Sequence, residues 1–114
     1  MLYEKYMKYI DENAEIFTQL SDDLWDHPEL GFQEFYAVER ITSILKEQGF
    51  WVTENLVEIP TAFKATFGEG SPSFGILAEY DALEGLSQVA GIAEKKSIEG
   101  QNAAHGCGHN LFAA

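Results

Sequence analysis

The sequence is poor in cysteine, in positive charge and in long apolar runs, and each shortage narrows what the protein can be. Its 114 residues include one cysteine, which excludes an intramolecular disulfide and fits a reducing compartment. Seven Lys and Arg stand against 19 Asp and Glu, giving a formal net charge of −12. A surface this negative repels phosphate backbones and anionic lipids, so we expect neither nucleic-acid nor membrane binding.

The sequence also shows no pattern typical of a membrane-spanning segment or a signal peptide. No apolar segment approaches the roughly 20 residues that cross a bilayer. The first residues, Met1 to Asn13, mix Tyr, Lys and acidic side chains, unlike the apolar stretch of a signal peptide. We therefore expect a cytoplasmic protein. Hydrophobic residues make up 46% of the chain, enough for an ordinary globular core, and most of the acidic residues are interpreted as a solvated face.

Helical periodicity dominates the first 48 residues. One apolar series predicts a helix that ends before Pro28, and a second series predicts a helix from about Glu34 to Gln48, with Gly49 as its cap. The two series are Tyr6, Ile10, Phe17, Leu20 and Leu24, then Phe35, Val38, Ile41 and Leu45. Between the helices, residues 27–31 predict a turn, in which His27 is expected to cap or pack.

After the second predicted helix, the residue pattern becomes typical of β-strands. Strands are predicted within residues 50–59 and 62–67, and residues 74–78 resemble a strand buried on both faces. A long polar connection then covers residues 82–104, and residues 110–114 look like the start of a helix. The predicted fold class is α/β: two helices, then β-strands of a mixed sheet.

The strongest chemical signal is the sequence His105-Gly106-Cys107-Gly108-His109-Asn110. Thiolate and imidazole are preferred ligands of zinc and related metals, and the glycines let alternate side chains converge. The cluster supplies too few ligands to complete a four-coordinate structural site, so an open catalytic site fits better. The alternative is a buried structural cysteine beside surface histidines.

Glu79 and Asp81 are the second signal. Residues two apart on a strand point to the same face, so these carboxylates would project together where the predicted strand ends. They could bind a metal or orient its ligands. Taken alone, such a pair is more often simply solvated, but a metal cluster downstream favours function.

Three passages together resemble the aminoacylase and carboxypeptidase G-like family of dinuclear metallo-amidohydrolases. They are residues 27–34 (HPELGFQE), residues 77–83 (LAEYDAL) and residues 105–110 (HGCGHN). The branch that contains aminobenzoyl-glutamate hydrolase is the most similar, because its second motif continues much like residues 84–88 (EGLSQ). The similarity covers essentially the whole chain, in the right order.

The resemblance implies a role for each motif. Cys107 and His109 would be metal ligands, and Asp81 the catalytic acidic residue that orients the metal site. Glu79 stands where distant relatives have a histidine ligand, and the role of His105 stays open. The complete enzyme would hold two divalent ions, manganese or zinc, and act on an N-acyl amino acid or peptide as a homo- or hetero-oligomer.

We interpret residues 1–114 as the N-terminal portion of the catalytic metal-binding domain of a metallo-exopeptidase. The chain stops as a helix begins and supplies few helices to cover a sheet. A general base, further histidine ligands and a lid or dimerisation domain would lie outside it, so the chain alone is expected to be inactive. The rival hypothesis is a non-catalytic acidic module that binds a single metal or regulates a partner.

Overall fold

Helices fill the first half of the chain and a small antiparallel sheet follows them. The computed structural model describes all of residues 1–114. Its helices are α1 (Leu2–Glu12), α2 (Ala14–Asp26), α3 (Phe35–Glu47) and α4 (His109–Ala113), with a 3-10 turn at Leu56–Glu58. Strands β1 (Trp51–Glu54) and β2 (Phe63–Thr66) pair antiparallel, with Trp51 opposite Thr66. The predicted α/β class, with helices before strands, is confirmed.

The single helix predicted before Pro28 is in fact two helices, and Asn13 separates them. The Asn13 side chain donates a hydrogen bond to the Tyr9 carbonyl at 2.8 Å, and its backbone leaves the helical region at ψ 11°. An asparagine that bonds the preceding turn competes with the helical backbone. The apolar periodicity continues through this break, which is why the sequence pattern did not reveal it.

The core forms where α2 crosses α3. Leu20, Leu24, Ala37 and Ile41 make one buried cluster, with Leu24 fully excluded from solvent. Side chains from β2, from the segment after it and from α4 pack against this cluster, namely Phe63, Tyr80 and Ala113. The two helices whose periodicity was clearest therefore form the platform for the rest. None of the helices is both long and apolar enough to span a bilayer.

The predicted strand at residues 74–78 is wrong. Phe74, Ile76 and Leu77 are each at least 90% exposed, and the segment is not part of any strand and has no backbone hydrogen-bond partner. A strand buried on both faces needs neighbouring strands and covering layers. Here the only sheet is the β1–β2 pair. Pairing resumes just beyond the segment, in a parallel bridge between Leu30 and Ala82.

The turn at residues 27–34 starts α3. The Glu29 carboxylate accepts hydrogen bonds from the Tyr36 and Ala37 backbone N–H groups, each at 2.9 Å. These N–H groups lack partners within the helix, and a carboxylate there also interacts favourably with the helix dipole. His27 packs as expected, its ring stacked on Tyr36 with centroids 4.0 Å apart.

An ion pair ties the outer faces of α2 and α3 together. Arg40 donates to Asp23 from Nε at 3.0 Å and from Nη2 at 2.5 Å, while Gln19 donates to the other carboxylate oxygen at 2.9 Å. Hydrogen bonds from Gln19 and Arg40 lower the pKa of Asp23 below its usual 3.8. The folded state therefore favours the ionised carboxylate.

Replacing Glu29 by alanine should destabilise the fold by about 1 kcal/mol, the usual cost of losing a helix cap. Urea unfolding followed by circular dichroism measures the change. Glu39→Ala, which removes an exposed carboxylate from the middle of α3, is the matched control and should cost much less. Equal losses in the two variants would show that the Glu29 contact does not cap α3.

The contribution of Asp23 should depend on pH in a defined direction. Because folding lowers the pKa of Asp23, its stabilising effect is complete above pH 3.8 and disappears as the pH falls through the folded-state pKa. The difference in unfolding free energy between wild type and Asp23→Asn should thus be large at pH 7 and shrink below pH ~4. Exposed Asp22→Asn should show no such trend, and a pH-independent difference at Asp23 would contradict the assignment.

Candidate metal centre

The imidazole of His109 lies between two carboxylates. Its Nδ1 is 2.7 Å from Asp81 Oδ1 and 3.1 Å from the Asp81 carbonyl oxygen, and its Nε2 is 3.0 Å from Glu79 Oε2. The ring is mostly buried, Asp81 is one-third exposed and Glu79 is largely exposed. The two motifs at residues 79–81 and 105–110 therefore meet in space, with the histidine at the junction.

Backbone pairing brings these motifs together across 28 residues. The Ala82 N–H donates to the Glu29 carbonyl at 2.7 Å, which fixes the chain just after Asp81. Leu83 and Ala104 then exchange two hydrogen bonds of 3.0 Å each. Because Ala104 directly precedes the motif at residues 105–110, this bridge returns the motif to the side of Asp81.

The motif itself is a tight turn that leads into α4. The Gly108 N–H donates to the His105 carbonyl at 3.0 Å, and Gly108 has a left-handed φ of 79°. The Gly108 carbonyl then accepts the first hydrogen bonds of α4, so His109 is the first helical residue. The predicted small-residue bend is thus present. The predicted final helix is confirmed, with its start one residue earlier.

Cys107 lies at the exposed tip of this turn. The side chains whose ligand atoms lie within 4.8 Å of one another are Glu79, Asp81 and His109, and Cys107 is not among them. The structure therefore brings together two of the three predicted site residues, Asp81 and His109. The assignment of Cys107 and His109 as metal ligands stays a prediction.

His105 is buried and is not a member of this group. Its side chain is 4% exposed and its Nδ1 has no hydrogen-bond partner. Burial lowers the pKa of His105 below the usual 6.5, and hydrogen bonding to the Leu24 backbone only partly offsets the shift. The ring is therefore neutral at pH 7, and it occupies a core position beneath the turn.

The donor set fits a divalent cation. Two carboxylates concentrate negative charge around one imidazole, and zinc accepts both donor types as ligands. Manganese favours carboxylate oxygen more strongly, and it too accepts imidazole. The exposure of Glu79 leaves the cluster open to solvent, as a catalytic rather than a structural site requires.

Two further contacts of the site were missed by sequence reasoning. Asn110 is buried, and its Nδ2 donates to Ser21 Oγ at 3.0 Å and to the Ser21 carbonyl at 3.3 Å. Tyr80, between the two acidic residues, donates its hydroxyl to the Thr61 carbonyl, and burial raises the pKa of Tyr80 to about 12. Asn110 lies within the third motif, but no local pattern reveals a partner 89 residues away.

Comparison with known proteins finds hydrolases. The chain is 46% identical, over 96% of its length, to one of the subunits of p-aminobenzoyl-glutamate hydrolase from Escherichia coli. The predicted family resemblance is confirmed. The chain is also 32% identical over 91% of its length to human Xaa-Arg dipeptidase, and 29% identical over 82% to hippurate hydrolase of Campylobacter jejuni.

The similarity is limited in one respect. The chain spans about a quarter of the length of these relatives: 24%, 23% and 24% respectively. No family model matches the sequence. The relatives thus support membership of an enzyme group with hydrolase and peptidase activities. Because the chain matches only a quarter of each relative, their names do not by themselves assign an activity to the whole protein.

The left-handed backbone at Gly108 predicts a difference between the two glycines of the turn. Gly108→Ala should cost about 1–2 kcal/mol, because an L-residue is strained in that conformation. At Gly106 a Cβ would meet the Leu86 Cδ1 atom at 2.6 Å, but this is the flexible end of a side chain that is 45% exposed. Gly106→Ala should therefore cost less in urea unfolding. The reverse order would show that the turn has a different geometry.

Proposed function

We propose that these residues form part of the metal-binding catalytic domain of an amidohydrolase. The enzyme would cleave the amide bond of an N-acyl amino acid, of the aminobenzoyl-glutamate type, or of a peptide. The contact of His109 with Asp81 and Glu79 carries this proposal, because it joins two of the family-like motifs in one cation-binding cluster. The hydrolase relatives support the reaction class.

Each residue has a separate role in this proposal. Cys107 and His109 would hold metal, and Asp81 would orient His109. Two divalent ions, manganese or zinc, would supply polarisation of the amide carbonyl and activation of the attacking water. Glu79, being exposed, would be free either to join the ligands or to move aside.

Asp81 prepares His109 for this task. Its carboxylate and carbonyl oxygens both lie against Nδ1, so this nitrogen would donate to Asp81 when Nε2 binds a metal ion. Nε2 is then left as the ligand atom, on the side where Glu79 lies. A carboxylate behind a histidine ligand fixes its tautomer and raises its basicity, and losing it typically costs roughly 10–100-fold in metal affinity or activity.

The relatives' names support the proposed substrate class. Aminobenzoyl-glutamate and hippurate both contain an amide between an aromatic acid and an amino acid, and the dipeptidase is named for a peptide bond. The net charge of −12 makes a small-molecule substrate more suitable than nucleic acid or a membrane surface. A homo- or hetero-oligomer remains our prediction for the complete enzyme.

Hydrolysis can be tested with a chimera. The matched residues of this chain would replace the corresponding quarter of the E. coli relative, and release of p-aminobenzoate from p-aminobenzoyl-glutamate would be followed with added Mn²⁺ or Zn²⁺. We expect turnover by the chimera and none by the 114-residue chain alone. Asp81→Asn should lower the turnover of the chimera roughly 10–100-fold.

Asp22→Asn is the control, because Asp22 is an exposed acid on α2 outside the cluster. It should leave turnover unchanged. A correctly folded chimera without activity would refute the catalytic assignment of these residues. Robust hydrolysis by the chain alone would instead refute the view that further parts are needed.

The second candidate is a non-catalytic module that binds a single metal ion. It is favoured by the presence of one group of three metal-binding side chains in the structure. This hypothesis is tested by measuring how many metal ions bind to the purified chain and to its Cys107→Ser variant. With Co²⁺ as the probe, a sulfur-to-metal charge-transfer band that Cys107→Ser abolishes would support the proposed ligand set. Binding without such a band would exclude Cys107 from it.

A further inference from the structure

Two buried residues of helix α2 contact the third motif, residues 105–110. Ser21 and Leu24 lie three residues apart, hence on one face of the helix, and are 6% and 0% exposed. Ser21 accepts both hydrogen bonds of the Asn110 amide. His105 lies against the backbone of Leu24. The same face of α2 therefore contacts both ends of the motif.

These two contacts bracket the proposed ligands. His105 and Asn110 are buried, at 4% and 6% exposure, whereas the turn between them is exposed at Cys107 and partly buried at His109. The motif is therefore held at its ends and open in its middle. The turn is thus restrained by buried contacts on both sides of its exposed residue, Cys107.

Helix α4 cannot supply that restraint by itself. It has five residues, too few for a stable isolated helix, because nucleation costs more than so few hydrogen bonds return. The preceding Gly108 is in the left-handed region and restricts the chain less than any other residue would. The direction of His109, the first residue of α4, thus depends on what α4 is attached to.

We propose that Asn110 is a positioning residue: by its hydrogen bonds to Ser21 it anchors α4 on α2 and so aims His109 at the metal centre. The inference rests on the proposed metal-binding function. The amide suits this task, since Nδ2 donates to both oxygens of Ser21. An aspartate of the same shape has no donor when ionised and would place a charge against the Ser21 carbonyl.

Co²⁺ binding by the 114-residue chain tests the proposal. Asn110→Leu should weaken Co²⁺ binding about 10–100-fold, as is usual for loss of a group that orients a metal ligand. It should also change the visible ligand-field spectrum at saturating Co²⁺, which a purely stabilising residue would not do. Ser21→Ala should have a smaller effect, because the Ser21 carbonyl still accepts one hydrogen bond.

A double-mutant cycle asks whether Asn110 acts through Ser21. In the Asn110→Leu background, Ser21→Ala should add little further loss of Co²⁺ affinity, because the shared contact is already gone. Additive losses would overturn the proposed route. The matched control is Asp23→Asn, also on α2, which breaks the ion pair with Arg40. It should lower stability while leaving the Co²⁺ affinity and spectrum unchanged.

The outcomes separate this inference from the proposed function. If Co²⁺ binds neither to the wild-type chain nor to the chimera that supplies the remaining parts, the metal centre is wrong and the positioning role falls with it. If only the chimera binds Co²⁺, the same variants are compared in the chimera. If wild type binds Co²⁺ and folded Asn110→Leu shows the same affinity and spectrum, only the positioning role is overturned. Circular dichroism establishes folding of each variant. Should Asn110→Leu unfold, Ser21→Ala carries the same test, and an unchanged affinity and spectrum in that variant overturns the proposal.

Discussion

The His109 ring can stand between Asp81 and Glu79 only because the chain reverses through a long polar connection and pairs Leu83 with Ala104. That pairing is two hydrogen bonds long, yet it brings together motifs 28 residues apart. Without it, two carboxylates and an imidazole would be separate solvated groups. With it, they form a cluster whose charge favours a cation.

Polar contacts do much of the positioning in this protein because the apolar core is small. Fourteen of the 114 residues are buried, and half of those are polar or charged. Hydrophobic burial is non-directional, so it brings α2 and α3 together without specifying where a turn points. Direction comes from hydrogen bonds with defined geometry: Glu29 on the start of α3, and Asn110 on Ser21.

The functional proposal combines two independent kinds of support. The relatives point to hydrolysis of amide or peptide bonds, while the geometry identifies which atoms of this chain approach one another. The geometry brings Asp81 and His109 together, and their roles in catalysis and metal binding are our proposal. The geometry also divides the third motif, because its buried ends contact α2 and its exposed middle faces solvent.

The sequence by itself determined what depends on local spacing: the bounds of α3, the two β-segments of the hairpin, the start of α4 and the motifs that contain Asp81 and His109. Tertiary structure decided the rest. An apolar run such as residues 74–78 is a strand only when neighbours pair with it, and Asn13 broke a helix whose apolar period ran on undisturbed. The buried position of His105 and the partnership of Asn110 with Ser21 depend on which helix lies beneath the turn. Periodicity describes contacts a few residues apart, and it contains no information about a hydrogen bond that closes across 89 residues.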